Sequence, residues 1–237
     1  MSIYIMSLYI VSTPIGNLQD ITLRAIEILK SSDLILCEDT RVTGGLLYHL
    51  GIKKEMQVIN DSNEETKIYE MLKYLQNGKN IALVSDAGTP LISDPGFKLI
   101  REAIKKNIKI VPIPGPSSIT TALCTAGVPT DKFLYLGFLP DSYEKKKNTL
   151  LRLNDSLTSL SSNKLSPTVI FFESPHRLLK TLDALQEVFG DIEIVVAREL
   201  TKIYEEFLRD KLSLLKLHFE KSLPKGEFVI LINSKTN

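Results

Sequence analysis

Short apolar runs alternate with segments of helical spacing through the first half of the chain, and this alternation constrains the fold most. The run Ile81–Val84 is typical, because a few apolar residues predict a buried strand and a polar turn follows at once. Successive units of this kind indicate a mostly parallel, doubly wound sheet in an α/β fold. The five predicted strands cover residues 8–12, 34–37, 56–60, 81–84 and 108–111.

The helices between these strands carry start and stop signals. Asp20 or Thr22 is suited to cap the first helix, and Asn63 precedes a segment that Gly78 ends. A further helix is predicted to start near Asp94-Pro95, directly after the polar turn that follows Val84. The helical segments therefore have definable ends as well as apolar faces.

The sharpest break in composition is the proline- and glycine-rich stretch 112–116, which predicts two domains, residues 1–115 and 116–237. Beyond it, strands are predicted at residues 133–138, 168–172, 192–197 and 228–232. Residues 141–153 predict a basic helix whose Lys145–Lys147 run is interpreted as a solvated face, and residues 154–166 predict a loop. Residues 178–185 have the spacing of an apolar helix face.

Composition narrows the class of protein. The chain has 237 residues and a formal net charge of +1, which argues against loose, charge-driven binding of nucleic acid. Cys37 and Cys124 form no CxxC pair and are predicted to be core residues of a reducing compartment. The apolar beginning is too short for a membrane span and resembles no signal peptide, so we expect a cytoplasmic protein, with Met6 a second candidate for its start.

Several common site types lack their signatures. The sequence contains neither GxGxxG after the first strand nor GxxxxGK[ST], which argues against a dinucleotide site and a P-loop. It has no serine-hydrolase elbow. The three histidines are far apart in sequence, so no metal site is expected.

Four predicted strands end in loops that combine glycine or proline with hydroxyls and carboxylates. Glycine allows close approach of a ligand to the backbone, and proline stiffens the loop. Each loop taken singly is more simply an ordinary turn, but together they favour a shared small-molecule site at the strand ends. The loops are residues 13–17, 85–90, 112–118 and 173–177.

In the order of its motifs, the chain resembles the tetrapyrrole-methylase-like (class III) S-adenosylmethionine methyltransferases over residues 8–232. The resemblance implies two αβα domains with the S-adenosylmethionine site in the cleft between them, and a homodimer. Within the family it implies 2′-O-methylation of a cytidine ribose in the decoding region of 16S rRNA, in the small ribosomal subunit. The motifs are residues 12–18, 38–41, 85–96, 114–117 and 197–202.

The resemblance also assigns site residues. The stretch Lys225–Glu227 is expected to line the cleft between the two domains. Matching motif positions would place the methyl donor against Pro14, Asp86, Gly88, Thr89, Ile92, Ser117, Ser118, Phe172 and Ala197.

The acceptor side is a hypothesis from charge and chemistry, because a ribose hydroxyl is a poor nucleophile that a positioned base or cation would help. The catalytic candidates are Asp39 with Arg41 and Glu199 with Lys202. A plain interpretation is open for each, since these side chains commonly cap helices or form solvated edges. The substrate-binding candidates are Arg41, Glu173, His176, Arg177, Arg198 and Lys202.

Two other functions are open for the same fold. One is methylation of a tetrapyrrole or another small molecule, and the other is a catalytically silent donor-binding or ribosome-assembly protein. The charged motifs at residues 38–41 and 198–202 favour RNA over a small molecule. The intact Gly88-Thr89-Pro90 and Ser117-Ser118 sequences disfavour a silent protein.

Overall fold

A computed structural model describes residues 7–60, 62–221 and 224–233, so Met6 lies outside the described residues. The chain divides into two compact units, with the division between Ser117 and Ser118. No helix among the described residues is long and apolar enough to cross a membrane. The two units are described separately below.

The N-terminal unit holds a five-stranded sheet in the order β3-β2-β4-β1-β5, and every neighbouring pair is parallel. The predicted parallel α/β organisation is confirmed. Its strands are β1 (Ser7–Val11), β2 (Leu34–Cys37), β3 (Met56–Val58), β4 (Ile81–Val84) and β5 (Lys109–Ile113). Its helices are α1 (Leu23–Ser31), α2 (Thr40–His49), α3 (Glu64–Gln76) and α4 (Phe97–Lys105).

Alternate residues of the strands pack into two separate hydrophobic cores, one on each face of this sheet. Leu8 packs with the cluster that includes Met71 of α3 and Leu99 of α4. Its neighbour Tyr9 packs with the cluster that includes Ile28 of α1 and Leu47 of α2. Because successive side chains of a strand point to opposite faces, this division produces an αβα sandwich.

The predicted capping residues have different roles. Thr22 caps α1, and its hydroxyl accepts a hydrogen bond from the amide of Ala25 at 3.1 Å. Asn63 precedes α3 but does not cap it with its side chain. The Asn63 amide group instead donates to the carbonyl of Val58 and accepts from the amide of Asn60, so it fixes the turn before the helix.

The C-terminal unit holds a mixed sheet in the order β6-β7-β10-β8-β9. Only β6 and β7 are parallel to each other, and the last strand of the chain lies at the centre of the sheet. The strands are β6 (Phe133–Phe138), β7 (Thr168–Glu173), β8 (Glu193–Arg198), β9 (Glu206–Lys211) and β10 (Phe228–Ile232). The helices are α5 (Ser118–Ala126), α6 (Tyr143–Ser162), α7 (Leu178–Phe189) and α8 (Leu212–Lys221).

The prediction of a loop at residues 154–166 is wrong, because α6 continues to Ser162. Leu150, Leu153 and Leu157 keep a helical spacing and are all buried, so tertiary packing outweighs the weak helix propensity of the serine-rich sequence. Hydroxyls in this stretch also donate to the carbonyl four residues earlier, as Ser156 does to Arg152. The elements β9 and α8 were not predicted.

Two residue-level expectations are also wrong. Lys146 was interpreted as part of a solvated face, yet it is only 1% exposed. Cys124 was expected in the core, yet it is exposed near the end of α5, whereas Cys37 is buried in β2 as predicted. Both errors concern which side of a helix faces the core, which is set by the packing of the whole unit.

Candidate functional site

The loops after β1, β4 and β5 lie at one edge of the N-terminal sheet, because these three strands are adjacent and parallel. Thr13 and Gly88 join the first two loops through a pair of backbone hydrogen bonds. The Thr13 amide donates to the Gly88 carbonyl at 2.8 Å, and the Gly88 amide donates to the Thr13 carbonyl at 3.1 Å. Ligands of parallel sheets bind outside this edge.

Hydroxyl groups connect the third loop to the other two. The Thr89 hydroxyl donates to the carbonyl of Pro116 at 3.1 Å and lies 3.1 Å from the hydroxyl of Ser12. The Thr13 hydroxyl donates to the carbonyl of Ser85 at 3.1 Å. Three loops that are distant in sequence are therefore held as one rigid surface.

Gly88 occupies a position that a side chain would disturb. Its φ of +85° lies in the left-handed region, and an added Cβ would lie 3.1 Å from Cγ2 of Ile15 and 3.7 Å from the Pro116 carbonyl oxygen. Glycine meets both requirements because it has no Cβ. The structure thus gives a steric reason for glycine in the loop that the sequence predicted to approach a ligand.

The segment between β4 and α4 is strained, and α4 begins at Phe97, later than predicted. Leu91 and Ser93 have φ values of 74° and 69°, an uncommon conformation for residues other than glycine. Ile92 lies between them with 42% of its surface exposed. Asp94 was predicted only as a helix start and not as a site residue. Burial raises its pKa to about 6, against the opposing effect of a Ser85 hydrogen bond.

Asp86 and Asp39 come together although they follow different strands. The amide of Asp39 donates to Oδ1 of Asp86 at 3.2 Å. Burial raises the pKa of Asp86. Asp39 caps α2, and hydrogen bonds from the Arg41 side chain and amide lower its pKa to about 2. The Arg41 side chain stays 89% exposed, so it can contact a further anion.

In the C-terminal unit, the residues Arg198–Lys202 form an unusual turn at the end of β8. Glu199 and Thr201 have φ values of 50° and 65°. Nζ of Lys202 lies 2.9 Å from Oε1 of Glu199 and 2.9 Å from Oε2 of Glu227. The predicted partners Glu199 and Lys202 are thus in direct contact.

Glu173 is placed in the interior. Its side chain has 0% exposure, and its Oε2 lies 3.4 Å from Nζ of Lys146. Its Oε1 accepts a hydrogen bond from the Ser174 amide at 2.8 Å and lies 3.0 Å from Nε of Arg177, although that Nε forms no aligned hydrogen bond. Arg177 also contacts Asp141 and the Leu139 carbonyl, so both residues serve an internal network.

The remaining predicted residues lie at the ends of their strands or helices. His176 is exposed in the turn before α7, and Arg198 contacts the Lys225 carbonyl and Glu206. In the N-terminal unit Pro14 is buried and Ser117 is its last residue, whereas Ser118 begins α5. Phe172 is half-buried against Tyr135 and Phe138, and Ala197 is fully buried in β8.

Residues 7–216 match the family described as Tetrapyrrole (Corrin/Porphyrin) Methylases. The chain belongs to this family. The resemblance predicted from the strand-end motifs is therefore confirmed. Membership identifies the chain as a member of a methyltransferase family.

Relatives from several bacteria carry the same name, Ribosomal RNA small subunit methyltransferase I. The protein of Thermotoga maritima is 45% identical over 228 residues, which are 96% of this chain and 98% of that protein. The protein of Escherichia coli O157:H7 is 45% identical over 95% of this chain and 77% of its own length.

Solved structures of more distant proteins share the fold. Diphthine synthase superposes with a TM-score of 0.72 at 17% identity, covering 95% of this chain and 89% of its own. Uroporphyrin-III-C-methyltransferase from Thermus thermophilus gives a TM-score of 0.63 at 18% identity, covering 95% and 94%. At these identities the likeness concerns the fold alone.

Proposed function

We propose that the protein transfers a methyl group from S-adenosylmethionine to the 2′-hydroxyl of a cytidine ribose in the decoding region of 16S rRNA. The observation that carries the proposal is the 45% identity with the Thermotoga maritima rRNA methyltransferase, because it extends over 96% of this chain and 98% of that protein. The small ribosomal subunit is the proposed partner.

The donor supplies an activated methyl group on a sulfonium, so the protein mainly has to bind and align the two reactants. The residues at the edge of the N-terminal sheet suit such a ligand. The half-buried side chains of Asp86 and Thr89 offer polar contacts, and Ile92 offers an exposed apolar one. We therefore keep the donor contacts that the family motifs assign as part of the proposal.

On the acceptor side, we propose two carboxylate–cation pairs as candidates, Asp39 with Arg41 in the N-terminal unit and Glu199 with Lys202 in the C-terminal unit. Each pair combines a group that accepts the hydrogen of a hydroxyl with a group that attracts a phosphate. Hydrogen bonding from Arg41 and from Lys202 lowers the pKa of Asp39 and contributes to the lowered pKa of Glu199, so both carboxylates are ionised near neutral pH. An ionised carboxylate can accept a hydrogen bond from the ribose hydroxyl and take up its proton as the methyl group leaves the sulfonium for the oxygen.

The function is tested by offering labelled donor to small ribosomal subunits, naked 16S rRNA and a porphyrinoid in parallel. Label in rRNA that is recovered as 2′-O-methylcytidine is the expected result. Label on a base contradicts the ribose specificity, and label on the porphyrinoid supports the small-molecule alternative. Donor binding without transfer to any acceptor supports the silent alternative.

The acceptor residues are tested with Asp39→Asn and Glu199→Gln, which remove charge while keeping size. We expect turnover to fall on the order of 100-fold in at least one variant, the lower range for a positioned acid–base group. Asp155→Asn, which replaces an exposed aspartate of α6, is the control and should retain turnover. Near wild-type turnover in both test variants would remove these residues from the proposal. The homodimer stays a prediction that sedimentation velocity can test.

A further inference from the structure

The turn that carries Glu199 is held in place by the strand entry at Lys225–Glu227. The Glu199 amide donates to the Glu227 carbonyl at 3.0 Å, and the Glu227 amide donates to Oε1 of Glu199 at 3.1 Å. Nε of Arg198 donates to the Lys225 carbonyl at 2.7 Å. The backbone before β10 thus binds both the main chain and the carboxylate of Glu199.

Gly226 makes this arrangement possible. Its φ is +95°, and an added Cβ would lie 2.5 Å from Cγ, Cδ and Oε1 of Glu199. Real Cβ atoms do not approach other atoms so closely, and the obstructed atoms belong to a flexible side chain. A methyl group at this position would therefore displace the Glu199 carboxylate and leave the backbone able to fold.

The turn is strained in a way that calls for such support. Glu199 and Thr201 both have positive φ, which disfavours residues with a Cβ. The Thr201 amide donates to Oε2 of Glu205 at 2.6 Å, and the carboxylate of Glu227 holds Lys202 at 2.9 Å. Strain of this kind persists only where the surroundings fix it, and it concentrates at functional sites.

The contacts also distinguish the two oxygens of Glu199. Within the described part of the chain, the hydrogen bonds from Lys202 and from the Glu227 amide both fall on Oε1. Oε2 forms neither of these bonds, and the Glu199 side chain keeps 17% of its surface exposed. Oε2 is therefore the oxygen that can accept a hydrogen bond from outside the protein.

We infer that Gly226 and Glu227 are positioning residues that aim Oε2 of Glu199 at the ribose hydroxyl that receives the methyl group. The inference rests on the proposed function. It goes beyond the expectation that residues 225–227 line the cleft, because it assigns them to the acceptor carboxylate. Glu199 is the residue that touches substrate, whereas Gly226 and Glu227 act through it.

The test is Gly226→Ala, matched with Gly190→Ala. Gly190 has a φ of +78°, but no atom lies within 4 Å of its added Cβ, so both variants impose backbone strain and only one obstructs Glu199. We expect Gly226→Ala to lower kcat on the order of 100-fold, comparable to loss of a positioned acid–base group. The dissociation constant for donor should stay near the wild-type value, and Gly190→Ala should retain kcat.

A double-variant cycle separates positioning from a general structural effect. If Gly226 acts through Glu199, Gly226→Ala adds little to the loss already caused by Glu199→Gln. Effects that multiply, or a donor affinity that falls with kcat, would overturn the inference. Glu227→Gln keeps the backbone amide and loses an exposed charge contact, so its kcat should fall less than about tenfold.

A crystal structure of Gly226→Ala gives an answer that does not depend on activity. The Glu199 carboxylate should move away from Nζ of Lys202 while the strands keep their pairing. If Glu199 stays in place, the inference is wrong whatever the enzyme does. If the wild-type protein methylates no rRNA but Glu199 moves, the positioning contact stands, whereas the proposed function and the catalytic aim assigned to Oε2 both fail.

Discussion

Nζ of Lys146 lies 3.4 Å from Oε2 of Glu173, and the two side chains are 1% and 0% exposed. Lys146 lies on α6 and Glu173 ends β7, so the pair joins a helix to the sheet of the C-terminal unit. Nζ of Lys146 also donates to the Thr181 hydroxyl at 2.5 Å, and that hydroxyl donates to Glu173. Burial lowers the pKa of Lys146, against the opposing effect of the Glu173 charge.

Lys146→Met is expected to lower the free energy of unfolding by about 3–5 kcal/mol, because it leaves the Glu173 carboxylate buried without its ammonium partner. Urea denaturation measures the change. Lys145→Met is the matched control, because Lys145 is the exposed neighbour of Lys146 on the same helix. This variant should change the free energy of unfolding by about 0.5 kcal/mol or less.

Replacing both partners, as in Lys146→Met with Glu173→Leu, should recover much of that loss, because no buried carboxylate is then left without its ammonium partner and Arg177 keeps its contact with Asp141. Equal, small effects of Lys145→Met and Lys146→Met would mean that Lys146 reaches solvent in the folded protein.

Gly88→Ala is expected to weaken donor binding about tenfold, which corresponds to about 1.4 kcal/mol. The added Cβ would press on Ile15 at 3.1 Å and shift the loop that is proposed to bind the donor. Isothermal titration calorimetry with S-adenosylmethionine measures the affinity. Gly78→Ala is the matched control, because its φ of +82° imposes similar backbone strain in open space. If the two variants bind donor equally well, this loop does not contact the donor.

Asp94→Asn is expected to stabilise the protein at pH 7 and to have little effect near pH 4. Burial raises the pKa of Asp94 from 3.8 to about 6, so the folded state holds its proton more tightly than the unfolded state. Wild-type stability therefore falls as pH rises from about 4 through 6, whereas the asparagine variant avoids this loss. Thermal unfolding across this pH range measures the difference.

Asp33→Asn is the comparison variant, for which the change in stability at pH 7 is expected to have the opposite sign. The amide of Asn80 donates to Asp33 at 2.8 Å and lowers the pKa of the Asp33 carboxyl. Its charge therefore stabilises the folded state above the ordinary pKa, and removing it should destabilise the protein at pH 7. Parallel pH profiles for the two variants would contradict the assignment for Asp94.

Arg41→Ala is expected to weaken binding to 16S rRNA and to reduce the slope of log affinity against log salt by about one phosphate contact. The Arg41 side chain is 89% exposed beside Asp39, so it can reach a phosphate without leaving that partner. Filter binding at several salt concentrations measures the slope. Arg152→Ala, which removes an exposed arginine of α6, should leave the slope unchanged. An unchanged slope for Arg41→Ala would exclude it from the RNA contact.

Local sequence patterns determined the N-terminal unit well. Its strands β2 and β4 are short apolar runs that are buried throughout, and both have the predicted bounds. The loops between residues 12 and 117 were located because glycine, proline and hydroxyl residues follow those runs directly. Parallel order then requires their ends to share one edge of the sheet.

The sequence could not determine which polar residues lie inside. Lys146 stands in a run of three lysines, and only the packing of α6 on α7 and β7 decides that this one meets Glu173 and Thr181. The serine-rich end of α6 became helical for the same reason, since buried leucines outweigh local propensity.

The loop after β4, at residues 85–95, and the turn Arg198–Lys202 show most clearly what sequence and tertiary structure each decide. Sequence determined that a strand ends at each place and that glycine, proline and charged residues follow, because these preferences act between neighbours. Only tertiary structure decided that Gly88 meets Ile15 and that Gly226 meets Glu199, because both contacts join segments that are distant in sequence. Side-chain directions across such contacts depend on the packing of a whole unit, which no local pattern encodes.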